Sequence, residues 1–188
     1  MKPALIVIDM QHWFFRIPER KTGLTSLIEN TNELIGLFHR HGLPIVHVLT
    51  IHKADRSTWP QIMMDEGHAV LIEGTRNAEE LPEIKTFDTD IVVQKTRHSS
   101  FIRTDLERML KSQAIDTLVI AGAFTDGCVG LTAIDAHERD FRVFLAKDAI
   151  LNVKESVANT ILDFLSDEFR IEAMSNRDIV KLIDERNP

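Results

Sequence analysis

The chain has 188 residues, 44% hydrophobic and 27% charged, which suits one folded domain with a sizeable core and argues against a disordered chain. Its net charge of -7, with no basic cluster, argues against nucleic-acid binding. The first apolar run, residues 4–8, is cut by Asp9 and is too short for a signal peptide or a membrane span, and the single cysteine, Cys128, rules out an internal disulfide and fits a cytoplasmic protein.

Residues 4–8, Ala-Leu-Ile-Val-Ile, read as a buried central strand that delivers Asp9 to its carboxyl end. An aromatic loop with Trp13, Phe14 and Phe15 follows. Open α/β sheets bind ligands at the carboxyl ends of their strands, so Asp9 stands where a reactive group would stand. Residues 24–41 carry apolar side chains at helical spacing and stop at Gly42 and Pro44. Residues 45–49 are the second strand, and His47 within it reads as a hydrogen-bonded core histidine.

Residues 50–87 are the least periodic stretch, and a connection of that length is expected to be a binding loop or a pocket cover. It holds His52, Asp55, Trp59 and His68. The spacing of those histidines and that aspartate matches no standard metal set, so no metal and no other cofactor is expected.

Residues 90–94 form a third strand with Lys95 directly after it, repeating the pattern of Asp9. The polar loop 96–101 follows, with Thr104 as N-cap of a helix over 105–112 and Glu107 in capping-box position. Residues 117–121 are a fourth strand. It runs into Gly122-Ala123-Phe124-Thr125-Asp126-Gly127-Cys128-Val129 and then a helix over 130–139. Cys128 therefore lies at a strand-to-helix turn, where unpaired N–H groups and the helix dipole favour a thiolate and an oxyanion. Residues 142–146 are the fifth strand, 154–165 a helix, 169–173 an edge strand and 177–185 the last helix. Alternating strands and helices predict a single-domain, three-layer α/β/α architecture with a six-stranded, mostly parallel sheet. No glycine-rich dinucleotide loop follows the first strand, which argues against a nicotinamide cofactor.

Asp9, Lys95 and Cys128 thus converge at one sheet edge. An acid, a cation and a thiol suit covalent acyl transfer. In this reading Cys128 attacks a carbonyl. Lys95 lowers the thiol pKa and pairs with Asp9. Asp9 takes the thiol proton, passes it to the leaving amine and then activates water. His98 is within reach of the same place, as an alternative base to Asp9 or as a pocket wall. His137 lies too far along its helix from Cys128 to act as base.

These motifs resemble the isochorismatase-like cysteine hydrolases, a superfamily that includes nicotinamidases, N-carbamoylsarcosine amidohydrolases and ureidoacrylate amidohydrolases. The resemblance rests on Asp9-Met10-Gln11 with Phe14, on Lys95-Thr96-Arg97-His98-Ser99-Ser100-Phe101, and on the segment Gly122 to Val129. Gly74-Thr75 and Asp148-Ala149 add to it. It covers nearly the whole chain. It implies a Rossmann-like fold, a catalytic Asp9–Lys95–Cys128 triad, a cis peptide at Ala123–Phe124, and the N–H groups of Phe124 and Cys128 as oxyanion donors. By the same resemblance the protein is a homo-oligomer acting on a small molecule.

Two departures narrow the expectation. Thr50-Ile51-His52-Lys53-Ala54-Asp55 lacks the Asp-x-His metal pair of nicotinamidases. The presence of Cys128 separates the chain from isochorismatases proper, which cleave a vinyl ether. Hydrolysis of a small amide, ureide or carbamoyl compound is therefore the leading expectation; a vinyl-ether hydrolase or a binding protein that keeps the fold are the alternatives. Trp13, Phe14, Trp59, His98 and Phe124 are the expected pocket walls.

Overall fold

The computed structural model describes residues 1–152 and 154–186. Its centre is a six-stranded parallel sheet in the order β3-β2-β1-β4-β5-β6. The strands are β1 (Pro3–Ile8), β2 (Ile45–Thr50), β3 (Ile91–Lys95), β4 (Thr117–Ala123), β5 (Arg142–Leu151) and β6 (Glu172–Met174). The helices are α1 (Pro18–Lys21), α2 (Leu24–Arg40), α3 (Gln61–Glu66), α4 (Leu106–Ser112), α5 (Gly130–His137), α6 (Glu155–Phe169) and α7 (Asn176–Arg186). Among the described residues no helix is long and apolar enough to cross a membrane.

β1 and β4 are buried at every position, as their unbroken apolar runs require. Period-two alternation then sorts their side chains between two cores. Ala4, Ile6 and Ile8 face a layer with Leu106 and Leu110 of α4, Ala133 and Ala136 of α5 and Leu165 of α6. Leu5 and Val7 face Leu27, Leu34 and Phe38 of α2 with Ile179 and Ile183 of α7. Each large side chain buried in this way contributes about 1.5–3 kcal/mol of transfer free energy.

Several boundaries move for tertiary reasons. β5 continues past Ala146 to Leu151 because β4 keeps pairing with it, Gly122 with Ile150 and Ala123 with Leu151. α6 runs on to Phe169 and ends at Arg170 in the left-handed conformation, so the edge strand starts only at Glu172. The helix expected to start at Asp105 starts at Leu106. Thr104 Oγ1 donates to Ser100 O, and Glu107 pairs with Lys111 and Arg139 instead of closing a capping box.

One glycine sets where the reactive strand ends meet. Gly122 has φ +114, and a Cβ there would lie 2.1 Å from Ile8 O. Only glycine lets the end of β4 approach the end of β1 so closely. Asp9 leaves β1 at that point, itself at φ 55, a left-handed conformation that aspartate tolerates better than most residues.

Candidate active site

The carboxyl ends of β1, β2, β3 and β4 converge on one buried polar cluster. Lys95 Nζ lies 2.9 Å from Asp9 Oδ2, 2.7 Å from Thr50 Oγ1, 3.1 Å from Arg97 O and 3.3 Å from Cys128 Sγ. Thr50 Oγ1 accepts from that ammonium and donates to Asp9 Oδ1 at 2.8 Å. The Lys95 and Asp9 side chains are 0% exposed. An ion pair removed from water is tolerable only when its remaining donors and acceptors are satisfied, and Thr50 and Arg97 O supply them. The structure therefore brings Asp9, Lys95 and Cys128 together.

Thr50 was not anticipated. It ends β2 in register with Lys95, so the rule that singles out Asp9 and Lys95 at their strand ends also points to it. Gln11 is the second unanticipated support. Its Oε1 accepts from Thr50 N at 2.9 Å, and its Nε2 donates to Thr50 O at 3.0 Å and Ala78 O at 2.7 Å. One amide therefore ties β2 to the 76–81 segment behind the cluster.

Cys128 lies in a wide turn, Thr125–Val129, between β4 and α5, in which Val129 N and Gly127 N both donate to Phe124 O. A Cβ at Gly130 would meet Thr125 O at 2.4 Å, so glycine permits the turn to close onto α5. The peptide Ala123–Phe124 is cis. Burial, and after it the Asp9 carboxylate, push the Cys128 thiol up to about 12 against the lowering pull of Lys95. This reverses the direction expected from the helix start. For Lys95, burial acts to lower the pKa, but Asp9 and Cys128 outweigh it and the ammonium is held above the usual lysine range. The resting cluster is a thiol beside a carboxylate–ammonium pair.

Cys128 and Lys95 open onto a cavity of about 330 Å³. Trp13, Phe14, Ile62, Met63 and Leu71 give it apolar walls, with Arg97 and His98 on the polar side. Of the expected wall residues, Trp13, Phe14 and His98 line it. Trp59 does not, because its indole N–H donates to Lys53 O and Arg56 stacks on its ring. Nor does Phe124, whose ring packs against Phe14 and Phe15 beneath Arg20. The long connection thus forms the pocket through α3 and residues 68–71.

His52, Asp55 and His68 do not converge. His52 Nδ1 faces Thr58 O, Asp55 accepts from Ser57 N and Oγ, and His68 is exposed beside Glu66. Among the described residues no three His, Cys, Asp or Glu side chains are grouped to share a metal ion.

His47 is a core histidine, as expected, and it pins the 76–81 segment. Its Nδ1 lies 2.8 Å from Glu80 Oε1 and its Nε2 3.2 Å from Asp90 Oδ2. Burial opposes its charge, but the two carboxylates prevail and raise its pKa above the ordinary value. A raised folded-state pKa gives stability that is full below the unfolded value of about 6.5 and is lost as pH rises through the folded value. The urea midpoint of the protein should therefore fall as pH is raised through and above neutrality. His47→Gln should remove that component; a variant with the same pH dependence as the parent would refute the assignment.

A model of the isochorismatase domain matches residues 3–174. The chain belongs to the isochorismatase family. Within that family it is 28% identical over 158 residues to a maleamate amidohydrolase from Pseudomonas putida, covering 79% of this chain and 72% of that protein. A solved isochorismatase family protein from Desulfovibrio vulgaris superposes with a TM-score of 0.87 at 25% identity, over 97% of this chain and 98% of that one. The N-carbamoylsarcosine amidase of Thermoplasma acidophilum superposes at 0.78 with 27% identity, over 94% and 97%. The protein is an isochorismatase-family hydrolase.

Proposed function

We propose that this hydrolase cleaves a small amide, ureide or carbamoyl compound through a thioester on Cys128. The observation that carries the reading is the contact of Cys128 Sγ with Lys95 Nζ, itself paired with buried Asp9, at an apolar-walled cavity. A thiol with so high a pKa needs its proton removed as it attacks. The Asp9 carboxylate is the base within the cluster. As sulfur bonds to the substrate carbonyl carbon, the thiol proton passes to Asp9. The oxyanion is held by the N–H groups of Phe124 and Cys128. Collapse of the intermediate breaks the C–N bond, and Asp9 returns the proton to the departing nitrogen.

The cavity suits a compact substrate with an apolar or planar acyl part, Trp13 and Phe14 being among its walls. The printed names of the relatives, maleamate amidohydrolase and N-carbamoylsarcosine amidase, fit the same bond class.

The test is ammonia release from a panel of small amides, ureides and carbamoyl compounds, before and after alkylation of the single thiol with iodoacetamide. Activity should fall in proportion to the Cys128 modified. Fully alkylated protein that still releases ammonia would overturn the covalent mechanism on Cys128.

A further inference from the structure

Arg97 stands on the polar wall of the cavity, and its carbonyl oxygen accepts from the Lys95 ammonium at 3.1 Å. Its side chain is half-buried and held in one orientation. Nη1 donates to Thr58 O at 3.0 Å and to Thr96 O at 2.7 Å, which uses both of its protons. Thr58 is itself fixed, because the 53–59 loop closes on itself. Thr58 Oγ1 accepts from Lys53 N at 2.8 Å, and the Trp59 indole donates to Lys53 O at 2.9 Å. The other edge of the guanidinium, Nε–H with one Nη2–H, is left as a parallel fork. Among the described residues neither of those nitrogens has a hydrogen-bond partner.

The charge of Arg97 is also unmatched. Lys95 is neutralised by Asp9, but among the described residues no carboxylate pairs with Arg97. Glu66 is the one carboxylate among the lining residues, and it is exposed beside His68. His52 lines the same wall and shares Thr58 O with Arg97, its Nδ1 lying 3.3 Å from that oxygen. Burial, with the charges of Arg97 and Lys95, lowers the His52 pKa against the pull of Thr58 O, so the imidazole is neutral. A half-buried cation without a counter-ion is unfavourable until a ligand brings one. A carboxylate fits the free fork in shape as well as charge, with two oxygens for two parallel N–H groups.

We propose that Arg97 binds a carboxylate of the substrate, which makes the compound cleaved a short half-amide or N-carbamoyl acid with its anionic end remote from the scissile bond. The inference rests on the amide-hydrolase reading above. The apolar walls take the hydrocarbon spacer, Arg97 fixes one end, and Cys128 meets the carbonyl at the other. Arg97 is then a specificity-determining residue and takes no part in moving protons.

Malonamate, succinamate, glutaramate and N-carbamoylglycine, each paired with its neutral amide, test this. Ammonia release by the parent should favour the acid in at least one pair, by roughly 10-fold or more in kcat/KM, the worth of hydrogen bonds to a charged group. Arg97→Gln should lower that ratio by roughly 10- to 100-fold, mainly through KM, and Arg97→Lys, which keeps the charge without the fork, should lower it less. A second readout needs no turnover. Malonate, succinate or glutarate should slow alkylation of Cys128 by iodoacetamide where the matching diamide does not, and Arg97→Gln should remove that protection. Neutral amides cleaved as well as the acids in every pair would overturn the carboxylate site while leaving amide hydrolysis intact. An Arg97→Gln protein that loses both members of a pair by the same factor would also overturn it, since Arg97 would then only brace the 53–59 loop. A parent that cleaves neither member of any pair, yet is protected by a diacid, would overturn the amide-hydrolase reading and keep the site; with protection absent too, both fall.

Discussion

Lys95→Met should destabilise the protein by about 3–5 kcal/mol and abolish hydrolysis, because it strands a buried carboxylate without its counter-ion. The Lys95 and Asp9 side chains are both 0% exposed and their charges meet at 2.9 Å. The methionine fills the volume of the lysine stem, so the loss is electrostatic and not a cavity effect. Removing the ammonium also leaves Thr50 Oγ1 and Arg97 O without a donor they use. Urea denaturation of parent and variant at neutral pH measures the deficit. The thiol of Cys128 loses the one neighbour that lowers its pKa, so its titration should move further up. A variant within about 1 kcal/mol of the parent at neutral pH, with activity retained, would mean that the pair is neither structural nor catalytic.

The cluster gains its order from Thr50 and Gln11 as much as from the charged pair. Thr50 bonds to both members of that pair, and Gln11 grips the backbone of Thr50 on both sides. Gln11 also reaches Ala78 O, and His47 holds Glu80 nearby, so the 76–81 segment braces the site from behind. The cavity wall is built separately, from α3 and the residues that follow it. Changes of substrate preference can then arise in the wall without disturbing the cluster.

Asp9, Lys95 and Cys128 were legible in the chain because each follows an apolar run long enough to identify a buried strand. In a parallel sheet all such ends fall on one edge. The sheet itself was legible for the same reason, while strand lengths were not, since β5 is prolonged by pairing with β4, a long-range effect. Direction within a loop was equally hidden. The aromatic character of Trp59 and Phe124 suggested pocket walls, yet Trp59 turns to Lys53 O and Phe124 to Phe14 and Phe15. The sign of the Cys128 shift is not legible in the chain, because a helix start is visible in sequence whereas burial and a neighbouring carboxylate come only with the fold.

Asp9→Asn should move two properties of Cys128 in opposite directions. The Asp9 carboxylate, after burial, is what pushes the thiol up to about 12, with Lys95 pulling the other way. Asparagine keeps the shape but removes the negative charge, leaving the ammonium of Lys95, 3.3 Å from Sγ, without its carboxylate. The thiolate becomes the best available counter-ion for that ammonium. The thiol pKa should therefore drop, and alkylation by iodoacetamide near neutral pH should quicken. Hydrolysis needs more than a thiolate, since the departing nitrogen must receive a proton and asparagine has none to give. Turnover of an amide should fall by roughly 10²–10⁴-fold, the usual worth of a general acid–base group. p-Nitrophenyl acetate needs no such proton, so its acylation burst should survive the substitution. An Asp9→Asn protein that alkylates more slowly than the parent would refute the electrostatic account of the thiol. One that hydrolyses amides at the parental rate would show that Asp9 orients Lys95 and carries no proton.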